Sequence, residues 1–305
     1  MMLRSDGEGG LPTKPTSAIG RQEERWALLF VAPNLIGFAL FKLVPIVAAF
    51  ALSFAQWKLI GDMRFIGLLN YRMMLADSVF LLSLQNTLVF TAISVPLTLG
   101  VGIFLAVQLN HRIFLPKLHR TAYFLPYITT ITAVASVWIW IFHPQGLVNA
   151  LLRTVGATNP PVWLMDRNAV MIALSLIQAW RSLGYAMMIY TAGLQNIPSE
   201  LYEAADMDGA GGTAKFIRIT WPMLTPTTFF LLITSLISVF QSFDLIYAVT
   251  EGGPGTASHV LSYYIYKAGF KFFNIGYANA MSIVLFAIIM AITALQWHGQ
   301  KNWVE

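Results

Sequence analysis

A chain of 305 residues that is 57% hydrophobic and only 11% charged falls well below the roughly one-quarter charged residues of soluble globular domains, so lipid is its main solvent. The absence of cysteine excludes a disulfide framework, cysteine-based zinc sites and thiol catalysis. The net charge of +5 does not signal a nucleic-acid partner, because the basic residues are scattered between apolar segments and form no polybasic stripe.

Residues 1–25 are rich in Gly, Pro, Ser and Thr with mixed charge, and read as a disordered cytosolic tail. The apolar stretch that follows is too long for a signal-peptide core and lacks a small-residue cleavage site, so it reads as a retained anchor. A bilayer core about 30 Å thick needs roughly 20 apolar helical residues. Six segments meet that test, near Trp26 to Phe50, Leu84 to Asn110, His119 to Phe142, Ala169 to Gly193, Leu224 to Thr250 and Tyr277 to Trp297. Their all-round apolarity excludes an outer-membrane barrel, whose strands would alternate. The expected fold is all-α and polytopic, one membrane domain over 26–300 with a short cytosolic tail at 301–305.

Orientation follows from Lys and Arg in short loops. The second-to-third connection concentrates Arg112, Lys117 and Arg120, whereas Lys58, Arg64, Arg72, Arg153, Arg167, Lys267 and Lys271 are spread over longer loops. The dense loop is therefore expected in the cytoplasm, with both termini, and the stretch from 196 to 223 becomes a large cytoplasmic loop. Lys42, beside Pro45, reads as a snorkelling residue near the outer end of the first segment. The isolated His111, His119 and His143 lack partners at metal-ligand spacing.

Polar residues at membrane depth are default pathway candidates. Arg181 falls near the middle of the fourth segment, flanked by Trp180 and Tyr185, which offer a stacking face for a sugar or a cation-π shield for the guanidinium. The fifth segment adds Ser235, Ser238, Gln241, Ser242 and Asp244, close to a helix-face repeat. Arg181 reads equally as a pathway residue or as the structural ion-pair partner of Asp244.

The cytoplasmic loop carries EAADMDGAGGTAKFIRITWPML, Glu203 to Leu224, which reads as helix, turn, helix. Pro198 suits a first helical turn, and Glu200 and Glu203 favour its positive dipole end. Asp208 and Gly209 end that helix. Thr213 is placed to cap a second one, in which Phe216, Ile219 and Met223 form an apolar ridge, and Pro222 breaks the chain into the fifth segment. Such a loop is built either to lie in a groove on another protein or to connect two spans along the membrane surface.

This stretch resembles the coupling loop of ATP-binding cassette import permeases, a pattern of Glu-Ala-Ala, Gly, Ile and Leu-Pro that falls here on Glu203, Ala204, Ala205, Gly209, Ile219 and Pro222, with Trp221 in place of the Leu. The rest of the chain is similar to the carbohydrate-uptake branch of that family, which includes maltose and glycerol-phosphate permeases. Its marks are FKLVP (Phe41 to Pro45), Ser53-Phe54, FIGLLNY (Phe65 to Tyr71), LPY (Leu125 to Tyr127), TEGGP (Thr250 to Pro254) and GYANA (Gly276 to Ala280).

The resemblance implies a type I importer permease fold and a non-catalytic subunit without a cofactor. It implies a second homologous permease as heterodimer partner, a cytoplasmic ATPase dimer, an extracytoplasmic solute-binding protein on the outer loops, and a bacterial inner-membrane location. Glu203, Ala204, Ala205, Asp208, Gly209, Phe216, Ile219 and Pro222 would couple to the ATPase. Leu183, Gly184 and Ser235 occupy motif positions of substrate contacts, whereas Met187, Ser238 and Val239 stand where the maltose permease has bulkier aromatic or amide groups, which disfavours maltose itself. No G-x-x-x-x-G-K-[ST] phosphate loop is present, so ATP would be bound elsewhere. The alternatives are an ion-gradient-driven secondary transporter, for which there is no clear internal repeat, an ABC importer of a non-carbohydrate solute, and a membrane enzyme, for which no catalytic cluster stands out.

Overall fold

The computed structural model describes residues 18–58, 61–110 and 114–300. Residues 1–17 and 301–305, most of the expected tails, lie outside the described residues, as do His111 and Arg112 of the basic loop. The chain divides into two units, residues 1–51 and residues 52–305.

The first unit is helical from Ala18, so the tail expected to reach residue 25 gives way to helix early. Ala18 to Arg25 reads AIGRQEER, dominated by good helix formers. Helix α1 (Ala18–Phe38) continues through a π turn (Ala39–Leu43) into α2 (Val44–Leu52). The Val44 N–H reaches the Ala39 carbonyl, widening the helix just before Pro45, whose ring would otherwise press on the preceding turn. Lys42 sits in that wide turn.

In the second unit a two-stranded antiparallel hairpin, β1 (Ala55–Gln56) and β2 (Arg64–Phe65), precedes α3 (Leu69–Ala76) and the long α4 (Ser78–Asn110). Helices α5 (Pro116–Ile128), α6 (Ile131–Ile141), α7 (Leu147–Thr154) and α8 (Val170–Gln195) follow. A short hairpin, α9 (Ser199–Met207) and α10 (Gly212–Lys215), passes through a π turn (Phe216–Thr220) into α11 (Trp221–Met223) and α12 (Thr225–Phe240). Helices α13 (Asp244–Val249), α14 (Leu261–Tyr266) and α15 (Ile275–Gln300) complete the chain.

Among the described residues, four helices are long and apolar enough to cross a membrane, and six spans result if two sharply bent helix pairs each count as one. Two expected straight spans are therefore broken. The third bends by 100° between α5 and α6, where Thr129 and Thr130 turn extended after Thr129 has sent both its N–H (3.1 Å) and its Oγ1 (2.8 Å) to the Leu125 carbonyl. The fifth starts from a 62° bend at Leu224, where the segment was expected to begin, but stops as a helix at Phe240, where Ser242 N–H closes a tight turn on the Val239 carbonyl at 3.1 Å. Gln241, Ser242 and Asp244 thus do not continue the face of Ser235 and Ser238.

Helices α4 and α8 form the central pair of this unit. A Cβ on Gly102 would lie 2.8 Å from the Ala186 Cβ, so small residues set their close approach. Phe90, Leu174 and Ile177, all fully buried, fill the core between them. Thr87, Thr91, Ser94 and Thr98 run down α4, each hydroxyl donating to the carbonyl four residues back at 2.6–2.7 Å, the way a hydroxyl is satisfied without water.

One end of the unit is tied by Asp77. Its Oδ1 caps α4 by accepting from the Val79 (2.9 Å) and Phe80 (3.3 Å) N–H groups, and its Oδ2 accepts from the hydroxyls of Tyr264 (2.6 Å) and Tyr277 (2.7 Å). Burial pushes this carboxyl up, but the four hydrogen bonds outweigh it and hold it below its ordinary value. Nearby, the Asn86 amide donates to the carbonyls of Ala257 (3.0 Å) and His259 (2.9 Å), pinning the 251–260 loop to α4. Burial, with Lys267 as the second cause, pushes the His259 imidazole down to about 4.

A histidine neutral in the fold and free to take a proton when unfolded loses stability as pH falls. The melting temperature in detergent should therefore drop between about pH 6.5 and pH 4, and the drop should shrink in His259→Gln. Asp77→Ala, which removes a helix cap and two buried phenol contacts, should lower stability by about 2–4 kcal/mol in chemical denaturation.

Candidate functional site

A polar recess lies between α4, α5, α8 and α12, lined by Thr98, Tyr127, Gln178, Ser182, Tyr185, Thr234, Ser235, Ser238 and Val239 and holding about 500 Å³ of empty space. Gln178, Ser182 and Tyr185 stand on one face of α8 because they are four and three residues apart. The Gln178 amide donates to Ser182 Oγ at 3.2 Å, and its buried Oε1 has no hydrogen-bond partner among the described residues. Tyr127, in the last turn of α5 before its break, stacks on Tyr185 at 5.0 Å between ring centroids and 18° between planes.

The sequence-expected pathway residues separate. Tyr185, Ser235 and Ser238 line the recess. Trp180 and Leu183 project from the other side of α8 into an apolar crevice with Leu97, Val101, Trp138 and Phe142, where Trp180 packs edge-on against Trp138 at 5.3 Å. Gly184 is buried as a packing residue, since a Cβ there would run into the Tyr123 carbonyl of α5. Gln241 is exposed in the turn after α12, and Ser242 is buried with its hydroxyl unpartnered among the described residues. Arg181 Nη1 meets Asp244 Oδ2 at 3.4 Å, a half-buried ion pair across the break that follows α12.

Thr98, Tyr127, Gln178, Ser182 and Thr234 line the recess without having been singled out for it. For α8 the signal was present: Gln178, Ser182 and Tyr185 repeat at helical spacing in an apolar helix. Thr98 and Thr234 gave none, because threonine is common in buried helices once it bonds its own backbone.

The α9–α10 hairpin is built around Gly209, at φ +74. Gly209 N–H donates to the Asp206 carbonyl (3.0 Å) and Ala210 N–H to the Ala205 carbonyl (2.8 Å), the paired closure that a left-handed residue gives a helix end. Pro198 stands just before the first helical residue, Ser199. The second helix is capped by extended Gly211 rather than by Thr213, which lies inside it. Pro222 lies within α11, and the bend comes later, at Leu224, because the π turn ahead of Pro222 absorbs its missing donor. Lys215 and Asp206 form an ion pair and Tyr202 OH meets Thr220 Oγ1 at 2.9 Å, locking the two arms together.

Phe216 and Ile219 do not form a free ridge. They pack half-buried on the chain's own Leu109, Leu194 and Leu224, because the π turn rotates them inward. The hairpin's exposed side instead shows Glu203, Ala204, Met207, Asp208 and Gly209, together with Ile217 and Trp221. Met207 at the tip is 89% exposed.

Broken helices around a polar recess, with a capped hairpin between two candidate spans, are the framework of a membrane transport protein. Residues 98–298 match the family described as binding-protein-dependent transport system inner membrane component, and the chain belongs to that family. It is 36% identical over 303 residues to the probable ABC transporter permease protein YesP of Bacillus subtilis, covering 98% of this chain and 97% of that one. It is 34% identical to the sn-glycerol-3-phosphate transport system permease protein UgpA of Agrobacterium fabrum (91% and 95% covered) and 34% identical to the sulfoquinovosyl glycerol transport system permease protein SmoG of the same organism (88% and 88%). A solved chain of a bacterial ABC transporter that imports the acidic polysaccharide alginate has the same fold, with a TM-score of 0.81 at 24% identity over 95% of this chain and 100% of that one. The fold is that of a type I ABC importer permease.

Gly184→Ala should disrupt the α5–α8 contact and destabilise the protein by about 1–3 kcal/mol, seen as a lowered melting temperature in detergent.

Proposed function

We propose that the chain is the permease subunit of a binding-protein-dependent importer that carries a sugar or sugar-like solute into the cytoplasm, driven by ATP hydrolysis on a separate subunit. The hairpin carries this reading. Its exposed flank of Glu203, Ala204, Met207, Asp208 and Gly209 is prefolded, projects from the bundle, and repeats the spacing of an ATPase-coupling loop. Phe216 and Ile219 then act from behind, seating the hairpin on the ends of α4 and α8 so that movement of the ATPase is passed to the recess; Pro222 is exposed at its far end. The sugar class is supported by relatives named for sn-glycerol-3-phosphate and sulfoquinovosyl glycerol.

On this reading the hairpin and both termini face the cytoplasm. A second permease completes the pathway, an ATPase dimer grips the paired hairpins, and a solute-binding protein docks on the opposite face, around the 57–83 and 251–276 loops. A relative in fold has been solved with an alginate pentasaccharide-bound periplasmic protein, which supports the docking of such a protein here.

Gly209→Asp isolates coupling from folding. Nothing lies within 4 Å of a Cβ at that position, and aspartate takes a left-handed backbone at a local cost of about 1–2 kcal/mol, so the bundle should still fold while the docking face gains a charge. ATP-dependent uptake into vesicles should fall at least about tenfold, with normal membrane levels of the permease. Uptake equal to wild type would remove the hairpin from the coupling path, and labelling that finds residue 209 on the outer side would overturn the orientation.

A further inference from the structure

We infer that this chain's wall of the pathway selects an uncharged polyhydroxylated solute over an oxyanion, and that Asp244 sets this preference by neutralising Arg181. The inference rests on the permease reading and adds to it the charge class of the solute and the residue that determines it.

The recess carries no charged side chain. Two of its hydroxyls have already committed their hydrogens: Thr98 Oγ1 donates to the Ser94 carbonyl at 2.7 Å and Thr234 Oγ1 to the Phe230 carbonyl at 2.9 Å. Both therefore offer lone pairs to the cavity. A sugar hydroxyl both donates and accepts, so it satisfies these acceptors and the rotatable hydroxyls of Ser235 and Ser238 together. The stacked Tyr127 and Tyr185 rings add a flat wall for the C–H face of a pyranose. A phosphate, carboxylate or sulfonate only accepts. Facing these acceptors it gains no bond from them, and its charge leaves water uncompensated.

The cation that could compensate it is Arg181, on the α8 turn between Gln178 and Ser182. Its Nη1 is held by Asp244 Oδ2 at 3.4 Å. The break after α12 sets that carboxylate at the start of α13, where its other oxygen accepts the Leu245 N–H at 2.9 Å. Arg181 Nε is buried and unpartnered among the described residues, and the pair as a whole carries no net charge. The pair thus offers no anion-binding field.

Glucose and glucuronate share one ring and differ by a carboxylate, so their binding ratio reads the preference directly. The measurement is equilibrium binding of each radiolabelled sugar to the complete permease–ATPase complex in nanodiscs, without binding protein. Wild type should favour glucose by about tenfold or more, and Asp244→Asn, which unmasks Arg181, should move the ratio toward glucuronate by a similar factor. The double variant Arg181→Met with Asp244→Asn should restore the glucose preference, which a mere loss of packing would not. If Asp244→Asn fails to assemble, Arg181→Met alone tests the same point, since it leaves the carboxylate and should push the ratio further toward glucose. A wild-type preference for glucuronate, a ratio unmoved in either single variant, or no binding of either sugar overturns the inference. Loss of vanadate-sensitive uptake by the complex with its binding protein would instead count against the transport reading itself.

Discussion

Within a bilayer core no water can take up an N–H or carbonyl that the helix leaves free, and each unpaired group there costs several kcal/mol. That constraint shapes the chain. Where α4 is regular, its serines and threonines return their hydrogens to the helix that bears them. Where the helices are interrupted, at Thr129–Thr130 and at Gln241–Phe243, the freed groups lie beside the polar recess or close tight turns among themselves. The irregular backbone and the recess are linked: the breaks bring Tyr127 and Asp244 to α8.

Helix α8 illustrates how one element serves two solvents. Gln178, Ser182 and Tyr185 meet the recess, while Trp180 and Leu183, on the other side, belong to an apolar crevice with Trp138. Gly184, between these faces, lets the backbone of α5 come close enough to deliver Tyr127 to Tyr185. A residue can thus be indispensable to a site it never touches, because it governs how near the neighbouring helix stands.

Much of this was legible from residue order alone. Apolar runs fixed where the spans lie, since span length answers to bilayer thickness. Pro198 and Gly209 marked the hairpin's first helix within a residue because their backbone preferences are local. What escaped has a common cause. Thr129–Thr130 reads as apolar enough to cross, yet both residues take extended backbone and end the helix there. The Phe216 and Ile219 stripe has the right period for an amphipathic face, but period says nothing of what covers it, and the chain's own Leu109, Leu194 and Leu224 do so. Asp77 sat in a polar loop with no sign that Tyr264 and Tyr277, far along the chain, would converge on it.

The hairpin is closed on itself by Asp206 and Lys215 and by Tyr202 and Thr220 before any other subunit arrives. A loop that must become ordered on contact gives up part of its association energy to that ordering. This one arrives stiff. On the proposed coupling role, a displacement at Met207 would pass through two short helices to Leu194 and Leu224 with little slack, reaching the membrane as motion rather than being dissipated in bending.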